Sequence, residues 1–442
     1  MSRYESMKEL YNESSCSHNA DTEKKVTCER LVPGGILGGC SFEGALHALL
    51  PFKNAAHIIH SPSTCPHVTD LSLDVPSSIF TTQMNAHDLI FGGEEKLSSS
   101  IADVYAHVQP EVIFVYLTCV SSLIGEDVER IIHTHQETLG IAIILINAAG
   151  FMGGVPFGAR IAGVTLMQQL MVQEVAFDRG NYDINLIGFN SSCHEMRAYQ
   201  ALLESIGFRI HWIFGGVTDI ESTKVAHRAK LNVLVGAKPM VSLARKMKEA
   251  WDIPWVEVSF YGKHATSDAI RVIVETFADG KLTRISEQYI AYEEKKLNET
   301  LESYRHALMD KVALLDLKGK QSWQFIPLLK ELGIRIAATS IYQCTQDDCD
   351  KVFEFLNGQG MVVRDPYEEL ETMIEEENVD ILFCDRHHYH AAVATKTAFM
   401  EFSSSDQASF VGYSGIHTFA QELIQTLGES FFATVFQKAP WE

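Results

Sequence analysis

From about residue 55 onward, short apolar runs alternate with amphipathic stretches of helical period, and no other feature of the sequence constrains the fold as much. A run such as Val112–Leu117 is apolar throughout and too short for a buried helix, so it suits a strand covered on both faces. Strand, helix and strand in steady succession imply parallel sheets with helices packed on either side. The first strands are expected at Ala55–His60, Val112–Leu117 and Ala142–Ile146. Glu95–His107 reads as an intervening helix, with Ile101, Val104, Tyr105 and Val108 on one face. A second set is expected at Asp183–Gly188, Arg209–Phe214, Leu231–Val235 and Trp255–Ser259, joined by helical patterns such as Glu195–Ser205 and Val241–Ala250. A third is expected at Lys311–Leu317, Ile334–Ala338, Met361–Val363 and Asp380–Cys384. The fold class is therefore α/β, with three Rossmann-like, doubly wound parallel-sheet domains.

The chain of 442 residues accommodates three domains at roughly 150 residues each. The expected division is a polar lead-in at 1–27, a cluster-binding domain at 28–180, a second domain with bridging helices at 181–309, and a third at 310–442. Glu5–Asn12 has some helical character within the lead-in, and the charged stretch from 264 to 309 reads as long bridging helices. The balance of 46% hydrophobic and 21% charged residues is that of a globular enzyme. No apolar stretch reaches the ~18 residues that cross a bilayer, and the first residues contain no hydrophobic signal core. A cytoplasmic protein without membrane association is expected. A net charge of −21 repels phosphate backbones, which argues against nucleic acid as a partner.

Nine cysteines in a chain without an export signal imply reduced thiols or metal ligands rather than disulfides. Three have informative settings. Cys40 follows a glycine-rich approach, Cys65 ends His60-Ser61-Pro62-Ser63-Thr64-Cys65 just beyond an expected strand, and Cys119 follows the strand at Val112–Leu117. Ligands of open parallel sheets collect outside the carboxyl ends of the strands, where Cys65 and Cys119 lie. The three are too far apart in sequence for the local CxxC pattern of zinc ribbons. Three thiolates from three loops of one domain suit an iron–sulfur cluster completed by another subunit. The competing reading is three ordinary buried cysteines.

A second constellation follows the strand ending at Phe383: Cys384-Asp385-Arg386-His387-His388-Tyr389-His390. Cys384, Arg386 and His390 are candidate pocket lining, and His387 or His388 a group that orients substrate or donates a proton. Buried cysteine with polar loop histidines is the alternative. Cys344 and Cys349 have no second half and do not read as a site. Cys193 and His194 open an expected helix and read as packing. No GxGxxG joins a strand to a helix and no GxxxxGK[ST] occurs, so neither NAD nor ATP has a site here.

These residues resemble nitrogenase component 1 and its relatives: the nitrogenase alpha and beta subunits, the scaffold proteins that mature their cofactor, and the nitrogenase-like reductases. The resemblance rests on Cys40-Ser41-Phe42-Glu43-Gly44-Ala45, the His60–Cys65 segment, Asp88–Leu97, Thr118–Asp127 and Gly150-Phe151-Met152-Gly153. It continues through His227–Lys230, Pro254–Gly262, Lys320-Gln321-Ser322-Trp323 and Ala439–Glu442. The later segments are most similar to the alpha-type chain of the cofactor scaffold. The resemblance implies three domains of nitrogenase component 1 type and an interface iron–sulfur cluster, [4Fe–4S] or larger, on Cys40, Cys65 and Cys119. It further implies a homologous beta-type partner or a second copy of this chain, and electrons from a separate ATP-dependent iron–sulfur reductase.

Departures from the pattern bear on function. In nitrogenase alpha chains and scaffold chains a cofactor-anchoring cysteine follows the strand matching Leu231–Val235, where this chain has Gly236. Counting back from Gly412-Tyr413, the nitrogenase cofactor histidine falls on Phe402 or Ser403. Neither glycine nor phenylalanine coordinates iron, which argues against ordinary dinitrogen reduction. The leading expectation is a nitrogenase-like oxidoreductase subunit, passing electrons through the interface cluster to a substrate or second metallocofactor. The alternative is an assembly scaffold for a metallocluster of the iron–molybdenum-cofactor type, without turnover. A third is a non-catalytic structural or regulatory homologue.

Overall fold

The computed structural model describes residues 4–6, 39–63, 65, 78–171, 180–189, 191–236, 238–341, 344, 346–357, 361–363, 366–384, 388–401 and 409–428. Residues 38–258 and 272–282 form one compact unit, and residues 1–37, 259–271 and 283–442 form the other. The first described strand, β1 (Tyr4–Ser6), belongs to the second unit and is taken up with its sheet.

The first unit holds two four-stranded parallel sheets. One contains β2 (Ala55–His60), β3 (Ser78–Thr81), β4 (Val112–Leu117) and β5 (Ala142–Asn147), in the order β3-β2-β4-β5. The other contains β6 (Asp183–Gly188), β7 (Arg209–Phe214), β8 (Leu231–Val235) and β9 (Trp255–Val258), in the order β7-β6-β8-β9. Every residue of β2 and β4 is buried, as expected for central strands with helices on both faces. The helices up to residue 169 are α1 (Ser41–Leu49), α2 (Ala86–Phe91), α3 (Glu94–Val108), α4 (Cys119–Ile124), α5 (Val128–Leu139) and α6 (Val155–Gln169), and others at Cys193–Ile206, Ile220–Val225 and Val241–Trp251 accompany the second sheet.

Alternate strand residues feed two cores. Ile58, Ile113, Val115 and Ile143 pack with Leu97 and Ile101 of α3 and Ile131 and Ile132 of α5. Ile59, Phe114, Tyr116, Ile144 and Ile146 face the other way, onto Phe42, Leu46 and Leu49 of α1 and Ala159, Ala162 and Leu166 of α6. Helices α1 and α6 touch backbone to backbone. A Cβ on Gly44 would lie 2.0 Å from the Val155 carbonyl oxygen, and one on Gly158 would lie 1.8 Å from that of Ser41. Only hydrogen fits at either contact.

A titratable group is buried in this second core. His57 is fully covered, shares a 2.8 Å hydrogen bond between Nδ1 and the Tyr116 hydroxyl, and stacks on the Phe114 ring. Burial lowers its pKa to about 3. The unfolded chain, with an ordinary imidazole near pH 6.5, then takes up a proton that the folded chain refuses. Folding stability is therefore complete above pH 6.5 and falls as the pH drops from 6.5 toward 3, by up to about 1.4 kcal/mol per pH unit from this residue. Urea midpoints measured from pH 7 to pH 5 are expected to fall more steeply in the wild type than in His57→Gln. Equal slopes would show that His57 is not the group responsible.

The second unit is built on a six-stranded sheet of β10 (Val312–Asp316), β11 (Arg335–Ser340), β12 (Met361–Val363), β13 (Ile381–Cys384), β14 (Ala398–Glu401) and β1. Its order is β1-β12-β11-β10-β13-β14, parallel except for β1, which runs antiparallel on β12. The lead-in therefore contributes an edge strand. Glu5 and Ser6 are extended rather than helical, because their backbone groups pair with Val362 and Met361. Residues 7–12 of the expected helical stretch lie outside the described residues. The bridging region forms helices at Lys263–Glu275, Gly280–Glu302 and Arg305–Leu308. No helix among the described residues is long and apolar enough to cross a membrane.

Candidate metal centre

Cys40 is the N-cap of α1, held against the segment that follows β5. It forms an isolated bridge with Gly154, and the Ser41 amide donates to the Gly153 carbonyl at 2.8 Å. The Ser41 hydroxyl donates to the carbonyls of Ala149 at 2.5 Å and Ala148 at 3.2 Å. Cys119 is the first residue of α4, with Thr118 as N-cap at the end of β4. The structure starts a helix at Cys119, stops it at Gly125 in the left-handed region (φ 77°), and begins α5 at Val128.

The two thiols meet at Gly150. A Cβ there would lie 3.0 Å from Cys119 Sγ and 3.3 Å from Cys40 Sγ, so glycine leaves the space that the sulfurs border. Cys65, beyond the end of β2, is exposed. Partial burial pushes its thiol up, and the neighbouring Cys40 and Cys119 thiols push in the same direction. All three cysteines singled out in the sequence therefore share one locus. No three His, Cys, Asp or Glu side chains among the described residues are arranged around a single ion.

A buried histidine–carboxylate contact spans the segments that carry Cys65 and Cys119. His60, the last residue of β2, shares a 2.6 Å contact between Nε2 and Glu126, just beyond α4, and its Nδ1 lies 3.0 Å from the Thr82 hydroxyl. Both side chains are almost fully covered, and the second Glu126 oxygen accepts from the Gly93 amide. A Cβ on Gly93 would lie 3.2 Å from both Glu126 Oε1 and His60 Cε1. The sequence reading quoted His60, Gly93 and Glu126 within motifs but gave them no role. The doubled glycine and the Gly-Glu-Asp triplet are the signals that could have marked them. Gly150 was missed in the same way.

Around these segments the surface is apolar. Ile90 and Phe91 of α2 are each 74% exposed, Leu123 of α4 is 75% exposed, and Phe151 beside Gly150 is 61% exposed. Helices α2 and α4 are in contact with each other.

The later candidates lie elsewhere. Gly236 follows β8 in the left-handed region (φ 55°), its amide donating to the Val258 carbonyl at 3.3 Å. Cys384 ends β13 and packs within the apolar core of the second unit. His388 is buried with its Nδ1 on the Asp316 carboxylate, and His390 is exposed in the first turn of the helix Tyr389–Thr395. Arg386, His387, Phe402 and Ser403 lie outside the described residues. Cys193 opens a helix, as the sequence indicates, with Ser192 as its cap. Cys344 is buried, its thiol raised by burial and then by Asp348 and Cys349.

Known proteins share this fold. The sequence profile of nitrogenase component 1 type oxidoreductases matches residues 40–428. The nitrogenase iron-molybdenum cofactor biosynthesis protein NifE of Nostoc sp. is 33% identical, across 98% of this chain and 93% of that protein. The NifE of Rippkaea orientalis is 32% identical, across 98% and 95%. The fold superposes on the structure of nitrogenase Cp1 at pH 5 with a TM-score of 0.80 at 22% identity, covering 95% of this chain and 94% of that one. With a family profile spanning most of its length and relatives similar from end to end, the chain belongs to the nitrogenase component 1 type oxidoreductase family.

Proposed function

We propose that this chain is the alpha-type half of a metallocluster assembly scaffold, holding an iron–sulfur cluster on Cys40, Cys65 and Cys119 where it meets a homologous beta-type chain. The observation that carries the reading is the meeting of the Cys40 and Cys119 thiols at the space left by Gly150, with Cys65 near enough to be influenced by both. The donor set fits the group: a lone zinc ion needs ligands converging at about 2.3 Å on one point, whereas a cluster accepts thiolates spread around its faces. Such a cluster supplies electron storage and a template for further iron and sulfur. The protein's own part is to aim the sulfurs and to exclude competing donors. End-to-end similarity to proteins named for cofactor biosynthesis favours scaffold over oxidoreductase.

The exposed side chains of Ile90, Phe91, Leu123 and Phe151 border the cysteine segments, as expected of a face that a partner chain covers. A separate ATP-dependent iron–sulfur reductase would supply electrons, and a reducing cytoplasmic setting would keep the thiols available. A nitrogenase-like oxidoreductase remains the second reading. It is favoured by Gly236, which offers no anchor where scaffold chains carry a cysteine, and it would give His387 or His388 the substrate-facing role.

The test is iron, sulfide and EPR analysis of the protein purified anaerobically with its partner, for wild type and Cys119→Ala. The wild type is expected to hold iron and sulfide in near-integral amounts, and the variant to lose most of both. Iron-free wild type, or a variant that keeps its full complement, would overturn the cluster assignment. Transfer of a cluster from the loaded protein to an apo-enzyme supports the scaffold. Reductase-dependent turnover of a substrate without transfer supports the oxidoreductase instead.

A further inference from the structure

Strands β2 and β4 lie side by side, and their last residues in register are His60 and Leu117. The two segments therefore leave the sheet at one level, one toward Cys65 and the other toward Cys119. Thr118 is the single residue between the end of β4 and Cys119. Its backbone is extended (φ −99°), and its amide donates to the Ser121 hydroxyl at 2.9 Å. The Thr118 side chain is fully buried, yet its hydroxyl has no hydrogen-bond partner of good geometry among the described residues. A buried hydroxyl in that condition is costly, and native proteins keep few of them without a functional reason. Cys65 is the group placed to use it. The Cys65 amide donates to the Pro62 carbonyl at 3.3 Å, so the chain beyond β2 turns back at the cysteine. Burial raises the Cys65 thiol, and the approach of the Thr118 hydroxyl is the largest influence in the opposite direction.

A neutral thiol accepts a hydrogen bond weakly, whereas a metal-bound thiolate carries charge and accepts one strongly. We propose that Thr118 is a positioning residue for the iron–sulfur cluster, its hydroxyl donating to the Cys65 thiolate, a role that rests on the assignment of that cluster to Cys40, Cys65 and Cys119. Cys65 is the exposed member of the three, whereas Cys40 and Cys119 sit at the starts of helices. Thr118 thus ties the least enclosed ligand to the segment of another: it joins Cys119 through the backbone and Cys65 through the side chain. The β-branch of threonine restricts the side-chain rotamer, which keeps the hydroxyl aimed. A hydrogen bond to a ligand sulfur also draws electron density from it. The reduced cluster, with one more negative charge, is stabilised more than the oxidised one, and the reduction potential rises. Valine in place of Thr118 keeps the shape and removes the donor; serine keeps the donor and removes the methyl group.

The experiment uses the full chain purified anaerobically with its partner, as wild type, Thr118→Val and Thr118→Ser. Iron content is measured first, and the cluster is then titrated with dithionite under EPR. Thr118→Val is expected to titrate at lower potential, with the ratio of reduced to oxidised cluster down roughly tenfold at the wild-type midpoint, about 59 mV for a one-electron couple. Thr118→Ser is expected to stay near the wild type. Proton ENDOR of the reduced protein, in water and in deuterium oxide, is expected to lose one exchangeable coupling in Thr118→Val and to keep it in Thr118→Ser. A merely structural role for the threonine would move neither readout in step with the hydroxyl. Loss of iron from the valine variant alone also supports the assignment, since serine shares only the hydroxyl with the wild type. A valine variant with the wild-type midpoint and couplings overturns it, as does a serine variant that shifts or loses iron as much as valine does. Iron-free wild type, by contrast, defeats the cluster assignment itself.

Discussion

Gly158→Ala is expected to lower the stability of the first unit by about 3 kcal/mol or more and to strip the protein of iron. The added Cβ would stand 1.8 Å from the Ser41 carbonyl oxygen and 2.8 Å from the Ala45 amide nitrogen. Those atoms belong to the backbone of α1, so no side chain can rotate away, and α1 and α6 must separate. Separation also unseats Cys40, because α1 begins at Ser41 and is tied to Gly153 and Ala149 through that residue. Gly44→Ala should behave alike, its Cβ meeting the Val155 carbonyl oxygen at 2.0 Å. Gly280→Ala is the control, since a Cβ there meets nothing within 4 Å, and its effect should stay within about 0.5 kcal/mol. Urea midpoints and iron content check the series. A Gly158→Ala protein with an unchanged midpoint would show that the helix contact is looser than described here.

Removing the carboxylate that links the Cys65 and Cys119 segments should be of similar size. Glu126→Ala leaves His60 and the Gly93 amide buried without their acceptor, and each buried polar group left unsatisfied costs about 1–3 kcal/mol. Glu126→Gln keeps an oxygen for the Gly93 amide and should cost less. A double-mutant cycle of His60→Gln and Glu126→Gln is expected to reveal coupling of at least about 1 kcal/mol, because the two groups are in contact at 2.6 Å and screened from water. Additive effects would mean that the pair is not energetically linked. Retention of iron should follow the same order as stability, since Cys65 follows His60 closely and Cys119 precedes Glu126 by one short helix.

Much of this was legible in the sequence for a simple reason. Strands such as β2, β4 and β10 are covered on both faces, so they appear as unbroken apolar runs whose limits can be read to within a residue or two. The strands that escaped notice are β1, β3 and β14, all at sheet edges. The residues of β3 are half-buried, and β1 has three residues with no apolar run. The edge strands β5, β7 and β9 carry apolar residues enough to be read, whereas edge strands such as β1, β3 and β14 owe their conformation more to a neighbour's hydrogen bonds than to their own composition, so periodicity does not reveal them. For the same reason Glu5 and Ser6 have helical character in isolation and are extended in the sheet.

The site divides along the same line. The sequence by itself determined the fold class and the family and singled out Cys40, Cys65 and Cys119 as candidates, because strand ends and motif glycines are local patterns. Only the tertiary structure decided that Gly150 stands between two of the sulfurs, that Glu126 reaches His60, and that Asp316 holds His388. Each of these contacts joins residues far apart in the chain. Hydrophobic periodicity records which face of an element is buried, but not which distant backbone or carboxylate it is buried against.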